Sequence, residues 1–294
     1  MNYREDIMKR KLIKTISVTL LATICFLPTV AAKKTSPIGN QIKLTKVPNV
    51  RDLGGIRAKN GQHIKSNRLI RSSALTHLSG HDKWKLSKRA NVKVILDFRS
   101  KSEIKQAPDA KLHGTRYHRL SVMADPKFGV HTTAQYIQQL AAKQPNNMEL
   151  FYEKMVVQPH SIKAYRSMFH YLLKQKSGAI LYHCTYGKDR TGIATMLILS
   201  SLGVPKTTIM RNYLASNHYL KSTTRHEYRL MKRHTHNRKV LTNLKRSRTA
   251  KTAYLNAAYA AIYHHSGSMK HYLHTQMRLS NKDIQQLRKN YLTK

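Results

Sequence analysis

The stretch His183-Cys184-Thr185-Tyr186-Gly187-Lys188-Asp189-Arg190-Thr191-Gly192 constrains this chain more than any other part of it. Ala179-Ile180-Leu181-Tyr182 ahead of it reads as a buried strand, and Ile193 to Leu202 after it as an apolar helix. The motif therefore sits at a strand-to-helix turn. In such a turn, successive backbone N–H groups curl around an anion, and the helix N-terminus adds positive potential. Gly187 lets the backbone approach a ligand closely, and Arg190 can return a planar guanidinium onto two phosphate oxygens. A cysteine in that cradle is expected to be a thiolate nucleophile at neutral pH.

A lone cysteine is more often a small buried hydrophobe, but a purely structural turn has no need of Lys188, Asp189 and Arg190. A nucleotide-binding loop is excluded because Gly187-Lys188 is followed by Asp189 rather than by Ser or Thr. Displacing a phosphoryl group also requires a proton for the leaving oxygen. Asp189 is close by construction. Asp97, at the end of the strand Val92–Phe98, could instead enter the crevice at the sheet's carboxyl edge, or it forms a structural ion pair with Arg99 or Arg51. His183 and Thr191 flank the loop as its expected supports, His183 orienting it and tuning the thiolate. His234-x-His236 and His264-His265 lie among lysines and arginines without a carboxylate or cysteine set, so no metal and no cofactor is expected.

Lys9, Arg10, Lys11 and Lys14, followed by apolar Ile16 to Leu27 and by Val30-Ala31-Ala32, have the layout of a secretory signal cut near Ala32. The alternative is a retained N-terminal anchor. Export would place the protein outside the cytoplasm or at the cell surface. It would also leave Cys184 as the sole cysteine, since the only other one is Cys25. The chain has 54 basic against 13 acidic residues. Such a surface attracts phosphorylated substrates, anionic lipid or acidic polymers, and charge alone does not choose among them or imply a specific nucleic-acid partner.

Residues 33–42 read as a flexible lead-in, and 43–294 as one domain. Asn60-Gly61 marks a hairpin within Ile56–Ile64, Arg68–Arg71 and Val92–Phe98 are strands, Trp84–Arg89 is a short helix, and Ala107–Gly129 is loop-rich. Helical periodicity dominates from Tyr136 onward, and Ser280-x-x-Asp283 opens a final helix. The basic stretch within about 205–265 is a candidate helical lid or insertion. Strands alternating with helices predict an α/β layered fold with a central mixed sheet.

Asn49-Val50-Arg51-Asp52-Leu53-Gly54-Gly55 with Leu69-Ile70-Arg71-Ser72-Ser73, then Leu96-Asp97-Phe98-Arg99-Ser100 with Glu103, and above all the His183–Gly192 loop, resemble the bacterial tyrosine/serine phosphatases of the IphP type. The resemblance covers the chain from about Lys43 to its C-terminus. It implies a protein-tyrosine-phosphatase-like fold, a cysteinyl-phosphate intermediate, and no metal. It implies action on phosphotyrosine, extending in some members to phosphoserine, phosphothreonine or phosphoinositides. Carried onto matching positions, Cys184 is the nucleophile, Arg190 the phosphate clamp and Asp189 the proton donor. The backbone of Thr185, Tyr186, Gly187, Lys188, Asp189 and Arg190 forms the cradle, and Lys188 is linked to phosphoinositide use. One departure stands out: Asn212 precedes Tyr213 where the family usually has an acidic residue.

Overall fold

A computed structural model describes residues 38–125, 132–144 and 147–294. The secretory-signal reading of 1–32 and most of the lead-in lie outside the described residues. The lead-in ends sooner than expected, because β1 (Asn40–Gln41) already pairs antiparallel with β2 (Arg51–Asp52). Among the described residues, no helix is long and apolar enough to cross a membrane.

One mixed sheet organises the chain. It runs β1-β2-β3-β6-β4-β5, with β3 Leu69–Ser72, β4 Val92–Asp97, β5 Arg116–Arg119 and β6 Ala179–His183. β1, β2 and β3 are antiparallel, whereas β3, β6, β4 and β5 are parallel. Register sets Ser72 and Asp97 on either side of His183, so three parallel strands end at one level. Crevices at such carboxyl ends are where open α/β sheets bind ligands.

Alternation along the strands explains the layering. Leu69, Ile180, Tyr182, Val94 and Leu96 face one apolar core, while Ile70, Ala179, Leu181, Val92 and Ile95 face a second on the other side. The second is covered by residues 44–50 and by α1 (Gly80–Trp84), which continues as a π-turn through Arg89. The first is covered by α4 (Asn147–Val157), α5 (Pro159–Lys174), α6 (Arg190–Ser201), α7 (Lys206–Leu214) and three C-terminal helices: α11 Thr252–Ser266, α12 Met269–Thr275 and α13 Asn281–Tyr291. The remaining helices are α2 (Lys101–Gln106), α3 (Thr133–Ala142), α8 (Ser216–Tyr219), α9 (Lys221–His234) and α10 (Arg238–Arg248).

The stretch 205–265 divides. α11 buries Tyr254, Leu255, Ala258 and Ile262 in the main core. α9, α10 and α3 instead close a small cluster of their own, built on Leu140, Met231, Val240, Leu241 and Leu244. Among the basic residues of α9 and α10, Arg229, Lys232, Arg233 and Lys245 are exposed.

Candidate active site

Cys184 follows β6 directly and is buried at the loop's floor. The carbonyls of the next three residues are tied back from outside. Thr185 O accepts from Ala74 N (3.2 Å), Tyr186 O from Asn49 Nδ2 (3.1 Å), and Gly187 O from Asn49 Nδ2 (3.0 Å) and Arg71 Nη2 (2.7 Å). In a trans peptide the N–H points opposite its carbonyl, so the N–H groups of Tyr186, Gly187 and Lys188 turn to the inner side. Gly187 has φ +62°, and a Cβ there would meet Ser72 O at 2.3 Å, so the turn and its approach to β3 both require glycine.

Arg190 opens α6, and its guanidinium is held by a residue from α2. Nη1 and Nη2 donate to Glu103 Oε2 and Oε1 at 2.5 and 2.7 Å, and Thr185 Oγ1 donates to Glu103 Oε1 at 2.6 Å. Glu103 is itself fixed by a capping box in which Ser100 N donates to Oε2. Burial pushes the Glu103 carboxyl upward, but the Arg190 hydrogen bonds and charge outweigh it and hold it at about 2. Arg190 Nε is buried and accepted by no described group. The Nη1–Nη2 edge of the clamp is thus spent on Glu103, and its Nε is left without a partner among the described residues. In the sequence Glu103 stood out only through the resemblance, with Leu96–Ser100, and its task on Arg190 has no local signal.

Asp189 stands at the N-cap position of α6 without a side-chain capping bond, and its Oδ1 accepts from Tyr152 OH (2.5 Å) and Lys188 Nζ (2.6 Å). Tyr152 OH also meets Tyr213 OH at 2.8 Å. Burial and the neighbouring Asp189 charge raise Tyr152 well above an ordinary tyrosine. Asp189 faces the pocket, whereas the Lys188 side chain is fully buried and does not line it. Thr191, second in α6, is buried with its hydroxyl unpartnered among the described residues.

Asp97 is not brought to the pocket. Its carboxylate receives Arg99 Nε (3.0 Å) and Nη2 (2.7 Å) and Tyr117 OH (2.7 Å). Arg99 also pairs with Asp109 at 2.9 Å, and His183 Nε2 lies 3.0 Å from Asp109 and 3.8 Å from Asp97. Burial lowers the His183 pKa, but the two carboxylates outweigh it and leave it raised. Asp97, Asp109 and His183 have ligand atoms close enough together to hold an ion, yet the Arg99 guanidinium already supplies their positive partner.

A cavity of about 420 Å³ opens over Thr185, Asp189 and Arg190. Met148, Leu150 and Phe151 of α4 form an apolar wall, and Lys143, Lys154 and Arg248 a basic one. Tyr186 leans into the annex: its hydroxyl donates to Glu227 (3.0 Å), and the Arg248 guanidinium covers its ring at 4.4 Å. Arg248 is further tied to Glu227 and to Tyr136 OH (2.9 Å). A larger cleft of about 940 Å³ around Tyr259 and Tyr263 contains none of the loop residues.

The profile described as "Tyrosine phosphatase family" matches residues 42–293. A protein of Cupriavidus necator bearing a tyrosine-protein phosphatase name is 32% identical over 248 residues, 84% of this chain and 86% of that protein. The tyrosine-protein phosphatase of Nostoc commune is 33% identical over 159 residues, 53% of this chain and 51% of its own.

Proposed function

The chain belongs to the tyrosine phosphatase family, and from that premise we propose a metal-independent hydrolysis of phosphotyrosine through a phosphorylated Cys184. The observation that carries the reading is the tied-back loop. Three carbonyls are held from behind, so N–H groups converge above the cysteine, and Arg190 reaches the same point from a fixed support.

The Cys184 thiolate attacks phosphorus, forming an S–P bond as the P–O bond to the tyrosine breaks. Inward N–H groups and Arg190 Nε take the charge on the equatorial oxygens. Asp189 gives its proton to the leaving phenolate oxygen. It then receives one from the water that attacks the cysteinyl phosphate, releasing inorganic phosphate and restoring the thiolate. Tyr152 and Lys188 both reach Oδ1, which leaves Oδ2 for this exchange. Asp97, held by Arg99 and Tyr117, supports the strand end and His183 instead.

Rapid acid quenching during turnover of a phosphotyrosyl peptide should trap phosphate on Cys184. Asp189→Asn should lower kcat by about 10²-fold for an alkyl or phenyl ester, and far less for an aryl phosphate with an acidic phenol. Asp97→Asn should show no such leaving-group dependence. A dependence that appears in the Asp97 variant would reverse the two roles.

The basic wall favours substrates with a second negative group beside the phosphotyrosine. Lys143 is partly buried, its pKa lowered by burial and by Arg248, and the ammonium groups of Lys143 and Lys154 have no hydrogen-bond or ion-pair partner among the described residues. We expect the Lys143→Ala/Lys154→Ala double variant to lose about five- to tenfold in kcat/KM on a peptide with acidic flanks. A small aryl phosphate should be unaffected. Equal loss on both would make the wall structural. The same panel, extended to phosphoserine, phosphothreonine and phosphoinositide substrates, tests dual specificity and the lipid alternative. Lys188, turned onto Asp189, lends the lipid reading no contact at the pocket. Export, read from Lys9 to Ala32, belongs to the same proposal and is checked by fractionating expressing cells.

A further inference from the structure

Behind the loop lie two arginines that the catalytic chemistry does not use. Arg51 of β2 and Arg71 of β3 are cross-strand partners, and both side chains are fully buried. Among the described residues, all of their hydrogen-bond acceptors are neutral. Arg51 Nη1 donates to Asn212 O (2.7 Å) and Ile38 O (3.4 Å), and its Nη2 to Asn49 Oδ1 and Ser216 Oγ (both 3.2 Å). Arg71 Nη1 donates to Asn212 Oδ1 (2.7 Å), and its Nη2 to Gly187 O (2.7 Å) and Ser216 Oγ (3.5 Å). Neither Nε group has a partner among the described residues.

The titratable groups that face Arg71 are Arg51, Tyr182, Tyr152, Tyr213 and Cys184, and those facing Arg51 are Arg71, Tyr219 and Tyr182. None of these is a carboxyl group. Buried charges ordinarily come with a counter-ion, because desolvation is costly and like charges repel. Among the described residues, Asn212 and Ser216 touch both guanidiniums, and Asn212 does so by the shorter bonds, 2.7 Å to each through its carbonyl and its side chain. One atom's change would make it an aspartate bridging them. Arg71 meanwhile grips the carbonyl whose peptide aims the Lys188 N–H into the cradle, so its charge stands directly behind the bound anion.

We propose that Arg51 and Arg71 are an unneutralised cation pair whose field strengthens phosphate binding in the loop, and that Asn212 is the positioning residue that holds the pair without supplying a counter-charge. The proposal rests on the phosphatase reading only in taking phosphate as the loop's ligand. A carboxylate at 212 would relieve the repulsion and stabilise the fold, and would at the same time cancel the field at the cradle.

Inorganic phosphate binding is to be measured by calorimetry on the full chain in the Cys184→Ser background, which removes the thiolate charge. Asn212→Asp should raise the melting temperature and weaken phosphate binding about tenfold. The weakening should shrink as pH falls and phosphate passes from dianion to monoanion, because a field acts on the ligand's charge; loss of a merely structural contact would affect both forms equally. Unchanged or tighter phosphate binding, a lowered melting temperature, or a loss equal for both ionic forms would overturn the proposal. Binding is read without turnover, so failure of the catalytic reading would show separately, as a wild type that hydrolyses no phosphomonoester.

Discussion

Cys184→Ser is expected to abolish turnover, with a loss on the order of 10⁵-fold or more, while phosphate still binds. The serine hydroxyl is a far weaker nucleophile at neutral pH, but nothing else in the cradle changes. Asn49, Arg71 and Ala74 still hold the loop carbonyls outward, and Glu103 still holds Arg190. Steady-state kinetics on an aryl phosphate together with calorimetric phosphate binding separate the two effects. Residual turnover near wild-type level would remove the cysteine from the reaction.

Glu103→Gln has the second largest expected effect, a fall of about 10²-fold in kcat/KM, because the clamp loses its fixed orientation. The N-cap contact to Ser100 N is weakened too, at a cost of about 1 kcal/mol. Ser100→Ala weakens the cap alone and serves as the control: if it loses as much activity, Glu103 acts only through the helix. The carboxyl is held at about 2, below its ordinary 4.5. A depressed acid contributes stability fully above its unfolded pKa and loses it as pH falls through the folded one. The Arg190–Glu103 pair therefore gives up its contribution between about pH 4.5 and 2. The acid limb of the activity profile at higher pH then belongs to other groups.

The site was legible where its chemistry is local. A strand, six residues and a helix carry Cys184, the cradle and Arg190, so spacing alone assembled them. Glu103, Tyr152 and Arg71 act across 87, 37 and 116 positions of sequence, respectively. Nothing in their neighbourhoods says what they touch. Arg51 and Arg71 were visible as motif residues, and Arg51 as a candidate partner of Asp97, but nothing local shows that both are buried; the neutral acceptors gathered around them show how that burial is tolerated. Asp97 and Arg99 are two residues apart, and the structure joins them, one of the two readings its position allowed.

In the fold, Val92–Asp97 and Ala179–His183 declared themselves by continuous apolar character, as central parallel strands do. β5 did not. Arg116-Tyr117-His118-Arg119 has no apolar alternation, because it is an edge strand that pairs only with β4 and shows most of its length to solvent. Asn40-Gln41 was read as lead-in for the same reason: both residues are exposed, and pairing with Arg51-Asp52 alone recruits them to the sheet.

The separate apolar cluster of α3, α9 and α10 bears on how such an enzyme can diversify. Leu140, Met231, Val240, Leu241 and Leu244 pack with one another and share no residue with the core beneath the sheet. Distant sites without shared partners respond to substitution nearly additively. Selection can therefore retool Lys143 on one wall of the cavity and the outward positions of these helices at a stability cost confined to this annex, whereas Arg248 and Glu227, which hold Tyr186, tie the annex to the loop. Asp189 and Arg190 answer to a different set of neighbours, Tyr152, Lys188 and Glu103, so new substrate preferences can be explored at positions that do not touch Tyr186.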